Sequence, residues 1–176
     1  MKKYIYIAIM VLAIACQPYN KPTQSTGIQV DSTYITADFR KYGDYYNSGH
    51  QVYAVDLLSE GLVYDSLWQI SGTGCNLYLS DIFTSKNDTS RLPTGTYEMD
   101  SVAKDMSFLR GMSFDGSITG SYLLVIEKDQ IQRILLFTSG NMTVHYVEED
   151  IVLDFNLYTE DSTYYHATYT GPATYR

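Results

Sequence analysis

In Ile151-Val152-Leu153-Asp154-Phe155-Asn156-Leu157-Tyr158 the apolar residues Ile151, Leu153, Phe155 and Leu157 alternate with Asp154 and Asn156. A period of two places the first set on one face of an extended strand and the second on the other. One face packs and the other is wetted. The segments before and after follow the same rule, with runs rich in Tyr, Thr, Val and Ile at residues 28–39, 51–58, 75–83, 121–127, 131–138, 142–147 and 163–171.

Turn chemistry separates these runs. Ser139-Gly140-Asn141, Glu148-Glu149-Asp150 and Thr159-Glu160-Asp161-Ser162 are short enough to make the last four strands an antiparallel meander. Leu92-Pro93-Thr94-Gly95-Thr96-Tyr97 opens a further strand, with Pro93 outside the ladder, where its missing N–H does no harm. No segment of helix length has a 3.6-residue period, and residues 101–109 supply one short helical turn at most. The expected fold is all-β, an antiparallel β-sandwich or a flattened β-barrel of about eight to ten strands.

Upstream of this domain the chain changes character. Met1-Lys2-Lys3 is a cationic start, and residues 4–14 are eleven largely apolar positions in a row, the pattern of a secretory leader. As a helix they rise only about 16 Å, roughly half a bilayer's hydrocarbon thickness, so a permanent membrane span is a poor reading. The run ends in Ala13-Ile14-Ala15-Cys16, which resembles a bacterial lipobox, although the usual Leu stands one place early, at Leu12. That resemblance implies a signal peptide over residues 1–15, cleaved before Cys16, and lipid on the Cys16 thiol. Two or more acyl chains there hold a protein to a membrane stably, where one does not.

Residues 16–27 then form the lipidated cysteine and its tether, with two of the four prolines and no apolar periodicity. Such a stretch buries too little surface to offset its ordering entropy. Residues 28–176 form the single domain. Removing the leader leaves 161 residues, enough for one real core without a disulfide. With Cys16 acylated, Cys75 has no partner in the chain and reads as a small buried apolar residue.

Charge and motifs exclude several functions. The net charge of −8 includes Lys2 and Lys3, so the mature chain stands near −10, with no basic stripe. No nucleic-acid partner is expected, because the phosphate attraction that dominates such binding has nothing to act on. No enzyme, cofactor or metal is expected either. Ser101-Val102-Ala103-Lys104 and Ser139-Gly140-Asn141 mimic two penicillin-recognising motifs, but the Lys-Thr-Gly strand is missing. His50, His145 and His166 lie on separate strands without ligand spacing, and Glu148-Glu149-Asp150 lacks the spacing and glycine of a calcium loop.

The succession Tyr42-Gly43-Asp44-Tyr45-Tyr46, Gly74-Cys75-Asn76-Leu77-Tyr78-Leu79-Ser80-Asp81, Leu92-Pro93-Thr94-Gly95-Thr96-Tyr97, Thr138-Ser139-Gly140-Asn141-Met142-Thr143-Val144 and Tyr169-Thr170-Gly171-Pro172 resembles a pattern recurrent in outer-membrane lipoproteins of the Bacteroidota. The resemblance implies a lipid-anchored place at the outer membrane of a gut commensal and transfers no functional residue. In that setting Asp31-Ser32-Thr33, Asp65-Ser66-Leu67, Asp100-Ser101-Val102 and Asp161-Ser162-Thr163 resemble the general O-glycosylation signal of the phylum, so Ser32, Ser66, Ser101 and Ser162 are candidate glycan acceptors. The alternative is that Asp-Ser starts and ends strands by hydrogen bonding to nearby backbone.

Tyrosine supplies the one positive functional hint. It occurs eighteen times, and a flat apolar ring with a polar tip suits sugar and protein surfaces. Tyr42, Tyr45 and Tyr46, near a loop, and Trp68, in the least regular part of the domain, form the candidate ligand-binding cluster. Tyrosine also favours strands for packing reasons alone. Two functions follow as expectations: a ligand-binding module for glycan or protein, or a structural component of an envelope assembly.

Overall fold

The computed structural model describes residues 34–87 and 90–176. The leader, Cys16, the tether and Ser32 lie outside the described residues. The domain is all-β, as the alternation predicts, with thirteen strands among the described residues rather than eight to ten. They are β1 (Tyr34–Gly43), β2 (His50–Ser59), β3 (Leu62–Tyr64), β4 (Ile70–Gly72), β5 (Gly74–Ser85), β6 (Gly95–Asp100), β7 (Ser107–Leu109), β8 (Met112–Phe114), β9 (Ser117–Thr119), β10 (Tyr122–Glu127), β11 (Gln130–Val147), β12 (Asp150–Thr159) and β13 (Tyr164–Pro172).

Hydrogen bonding closes a ring of five strands, β5-β10-β11-β6-β7. The long strands β5 and β11 each hold β10 along one half and β7 or β6 along the other. Their outer edges carry β2-β1 and β12-β13. These two flanks meet where the chain after β13 runs parallel to β1 through the Phe39–Tyr175 bridge, with Arg176 N–H donating to Phe39 O at 3.0 Å and Lys41 N–H to Arg176 O at 2.9 Å. The five-strand ring has no free edge, and at the ends of the path the C-terminal segment covers β1 between Phe39 and Lys41.

The core fills this closed wall. Ile151, Leu153, Phe155 and Leu157 of β12 are fully buried, as their spacing predicts. Along the β12–β13 ladder, pairs of large against small, Ile151 opposite Gly171 and Phe155 opposite Ala167, alternate with Leu153 opposite Tyr169 and Leu157 opposite Tyr165, so the small residues leave room for the tyrosine rings. Tyr175 seals the seam, its ring 5.2 Å from Phe39 and 6.0 Å from Tyr53, and its hydroxyl accepts from Leu92 N–H at 3.0 Å.

Three local expectations are corrected. Ser139-Gly140-Asn141 is no turn: residues 130–147 are one strand with a bulge between Phe137 and Ser139. Gly140 has φ +130°, and a Cβ there would lie 2.1 Å from Asn156 O, so glycine lets β11 bend against β12 instead of reversing. No helical turn forms at residues 101–109, because the Asp100 carboxylate captures the N–H groups of Ser101 and Val102 and turns the chain. The chain then re-enters the sheet as β7, parallel to β6, an exception to the antiparallel pairing expected throughout.

Two hairpins stand off the main sheet. The β3–β4 hairpin packs Leu62, Tyr64 and Ile70 onto Leu58, Leu124 and Ile126 on the outside of the barrel. The β8–β9 hairpin projects into solvent, with Phe114 84% exposed beside its Asp115-Gly116 tip. Replacing Gly140 by Ala should cost about 2 kcal/mol in urea unfolding through backbone strain and overpacking, whereas the same change at Gly116, which has open space around it, should cost no more than about 1 kcal/mol.

Candidate functional site

β2 is buried on both of its faces. Tyr53, Val55 and Leu57 enter the barrel core, while Val52, Asp56 and Leu58 face outward and are covered as well. Register explains what they meet. Asp38, Asp56, Tyr78 and Tyr122 stand opposite one another across β1, β2, β5 and β10, and Leu58, Asn76 and Leu124 form the next row. Arg40 and Tyr42 follow Asp38 on the same face of β1 by the period of two. These rows floor a cleft of about 610 Å³ on the outside of the barrel. Tyr42, Tyr45 and Asp81 wall one side; Ile70 of β4 and Ile118, Thr119 and Gly120 of the β8–β9 arm close the others.

The floor is ionic and nearly dry. The Asp38 and Asp56 side chains are each 9% exposed, and Arg40 donates from Nε to Asp38 Oδ2 at 2.7 Å and reaches Asp56 Oδ2 from Nη2 at 3.5 Å. Asn76 Nδ2 donates to Asp56 Oδ1 and to Leu57 O. Arg176 Nη2 donates to Asp38 Oδ2 at 2.5 Å, and its guanidinium lies 3.7 Å over the Trp68 ring. One chain of contacts therefore runs from Trp68 through Arg176, Asp38, Arg40 and Asp56 to Asn76. Carboxylates taken this far from water are tolerated only when paired and hydrogen-bonded.

Burial pushes the Asp56 carboxyl up, although hydrogen bonding to Asn76 and the Arg40 charge pull the other way. Burial alone would loosen the Arg40 proton, but hydrogen bonds to Asp38 and Tyr42 and the two carboxylate charges hold it above the ordinary arginine value. The Tyr64 hydroxyl is buried beside the Asp56 carboxylate, and burial, then the Asp56 charge and hydrogen bonding to it, hold its pKa far above the usual phenol range.

The aromatic wall is fixed by its loop. Asp44 accepts from Ser48 N–H at 2.8 Å and from Gly49 N–H at 3.2 Å, clamping the β1–β2 connection. Although desolvation opposes it, these N–H groups and Lys86 hold the Asp44 carboxyl below its ordinary value. Tyr42 and Tyr45 lie 6.2 Å apart, and Tyr46 meets Tyr45 edge-on at 5.0 Å. The Tyr46 hydroxyl donates to Asp81 Oδ1 at 2.7 Å; burial and this bond push its pKa up to about 12.

The structure thus brings Tyr42 and Tyr45 into the cleft and sets Tyr46 behind Tyr45 as its support. Trp68 stands next door, in an open recess lined by Arg40, Lys41, Tyr42 and Arg176. It occupies the left-handed region at φ +61° in a turn closed by Asp65, whose carboxylate accepts from Leu67 and Gln69 N–H. A bulky residue is rare in that conformation and costs on the order of 1 kcal/mol or more. Sequence reasoning missed Arg40, Asp56, Asn76, Tyr78 and Tyr122. Their signal was the outward half of each alternation, but only the strand register shows that Tyr78 and Tyr122 stand opposite, with ring centroids 5.2 Å apart.

The remaining candidates fall elsewhere. Ser66, Ser101 and Ser162 are exposed at turns, and in each case the preceding Asp accepts the N–H two residues on, from Leu67, Val102 or Thr163. The Asp side chain of each triplet fixes its turn, and the serine beside it stands exposed. Cys75 is half-buried, its thiol pushed up by burial, and lines a separate apolar cavity of about 230 Å³ with Val125, Leu135, Phe137 and Tyr165. His50 lies 3.4 Å from Asp105 and His166 lies 3.3 Å from Asp154. Among the described residues no three His, Cys, Asp or Glu side chains are grouped to hold a metal.

No family model, curated protein or solved structure matches the chain.

Two measurements check these electrostatics. Arg40→Met leaves the buried Asp56 carboxylate without a cation and Asp38 with Arg176 alone, and should cost about 3 kcal/mol at pH 7, the gap to wild type narrowing in chemical denaturation as pH falls and the carboxylates protonate. Asp161 behaves oppositely to Asp56: hydrogen bonds from the Thr159 hydroxyl and then from Thr163 lower it from 3.8 to about 2. A depressed carboxyl contributes stability above its unfolded value and loses it as pH falls through the folded one. The stability difference between wild type and Asp161→Ala should therefore be full at pH 5 and shrink steadily between pH 4 and pH 2.

Proposed function

We propose that the chain is an exported lipoprotein, held by lipid on Cys16 at the outer membrane, whose β-domain is a non-catalytic module that binds a glycan or protein ligand in the tyrosine-walled cleft. The observation that carries this reading is the cleft's composition: Tyr42, Tyr45, Tyr78 and Tyr122 surround a floor of Arg40, Asp56 and Asn76. Its volume falls in the range of small-molecule sites, and its mixture of aromatic walls with a few fixed polar groups is the ordinary make-up of one. The polar groups are held by one another, so they meet a ligand without first being ordered. The same mutual engagement argues against catalysis, since each floor carboxylate is already held by a guanidinium. The anchoring half of the proposal rests on the sequence of residues 1–16.

The second reading, a component of an envelope assembly, is favoured by the β8–β9 arm, whose Phe114 is almost fully in water, and by exposed Leu67 and Val63 on the β3–β4 hairpin. Cross-linking in native membranes separates the two readings. Adducts through the Phe114 arm that persist in Tyr45→Ala support assembly.

Anchoring is tested by feeding cells a clickable fatty acid: wild type should be labelled and membrane-bound, while Cys16→Ser should be dark and released. Unlabelled wild-type protein ends the anchoring proposal. Glycan on Ser32, Ser66, Ser101 or Ser162 is tested by intact mass of protein from its native host, where a bare polypeptide-plus-lipid mass rejects it.

A further inference from the structure

Charge and shape in the cleft narrow its ligand further. A purely cationic lining would select an anion and a purely acidic aromatic cage would select a cation. This cleft has neither character. Arg40 lies in its floor and opposes an incoming cation. The Arg40 charge that would attract an anion is already matched by Asp56 and by Asp38, which Arg176 also pairs, and Asp81 in the wall, held only by neutral hydroxyls among the described contacts, opposes an incoming anion. What the lining does offer is fixed donors and acceptors side by side. Arg40 donates, Asp56 and Asp81 accept, Asn76, whose Nδ2 is spent on Asp56 and Leu57 O, offers its Oδ1 as a further acceptor, and Ser80, whose hydroxyl donates to Asp81 Oδ2 at 2.9 Å, presents an oxygen lone pair.

A hydroxyl group both donates and accepts, so neighbouring hydroxyls on one ring satisfy such an array without bringing a charge. The aromatic part of the lining complements the other side of the same molecule. Tyr78 and Tyr122 form a tilted pair at 5.2 Å and 38° in the floor, and Tyr42 with Tyr45 forms a second pair in the wall at 6.2 Å and 59°. Flat rings set at an angle suit the apolar C–H faces of a sugar ring.

Resting on the reading of the cleft as a ligand site, we infer that its ligand is an uncharged saccharide, with a pyranose face on the tyrosine pairs and adjacent hydroxyls on Asp56, Asn76, Arg40 and Asp81. Uronic-acid and sialylated glycans are disfavoured by the Asp81 carboxylate, which no cation matches among the described contacts. Asp81 is the residue that sets this discrimination from the wall, because Asp56 is buried and bonded to Asn76 and Arg40, while Asp81 is half-buried and bonded only to the neutral hydroxyls of Tyr46 and Ser80 among those contacts.

The test uses the full mature protein in detergent on an array containing neutral, acidic and amino glycans, with a peptide library probed in parallel. Tyr45→Ala, whose ring is 67% exposed, serves as the cleft variant that leaves the fold intact. The expected result is hits confined to neutral glycans, weakened at least about tenfold in Tyr45→Ala. In Asp81→Asn, which tolerates the left-handed backbone at that position (φ +51°), the uronic-acid counterparts of those hits should gain about tenfold. Hits dominated by acidic glycans, or by peptides lost in Tyr45→Ala, overturn the saccharide inference and leave the cleft as the site. Hits of any kind that are indifferent to Tyr45→Ala, or an array and library both silent, overturn the inference and the cleft reading together.

Discussion

One guanidinium shared between two nearly buried carboxylates organises the outer face of this barrel. Arg40 lies on β1 between Asp38 on its own strand and Asp56 on the next, and without it the row Asp38, Asp56, Tyr78, Tyr122 would press two like charges into a poorly hydrated floor. The arrangement costs desolvation that only paired charges and extra hydrogen bonds offset, and Asn76 and Arg176 supply those bonds. An all-apolar outer face would be simpler to fold. A polar network kept under two hairpins is where folding economy and the needs of a binding surface part company.

Closure of the barrel is what makes that network possible. β1 is held on one side by β2 and on the other by the segment ending in Tyr175 and Arg176. The same segment delivers Arg176 to Asp38 and lays it over Trp68, so the seam of the barrel and the recess beside the cleft share residues. The β3–β4 hairpin adds the second cover, and its Ile70 forms part of the cleft wall while Leu62 and Tyr64 pack on the strand that carries Asp56. Fold and site are thus coupled through β1 and β2, whereas the β8–β9 arm contributes a wall without supporting the core.

Much of the fold was legible because alternation reports on burial directly. Ile151, Leu153, Phe155 and Leu157 are buried as their spacing requires, and most of the expected runs became strands close to their expected places. The errors came where one residue type serves two ends. Gly140 looked like a turn glycine and is a bulge glycine, and only the nearness of Asn156 O on the neighbouring strand distinguishes the two. Local propensity also gave no hint of the parallel β6–β7 pair, which depends on the Asp100 turn returning the chain beside itself.

The candidate site was half legible for a related reason. Tyr42 and Tyr45 stood out as exposed aromatics clustered in sequence, and they do wall the cleft. Tyr78, Tyr122, Asp56 and Asn76 are distant in sequence and meet only through register, which a single chain read linearly does not display. Trp68 attracted notice from its place in the least regular part of the domain, and its ring lies under Arg176 in the recess beside the cleft.

The state of the Asp56 carboxyl tests the account at its centre, because the floor exists as described only if that group is dry and held between Asn76 and Arg40. Carbon-13 NMR of the side-chain carboxyls through a pH titration reads it directly. The account predicts an Asp56 midpoint displaced above the ordinary aspartate value, with burial outweighing its partners. An Asp56 that titrates at or below the ordinary value would mean that its partners outweigh burial, and would contradict a floor in which desolvation dominates.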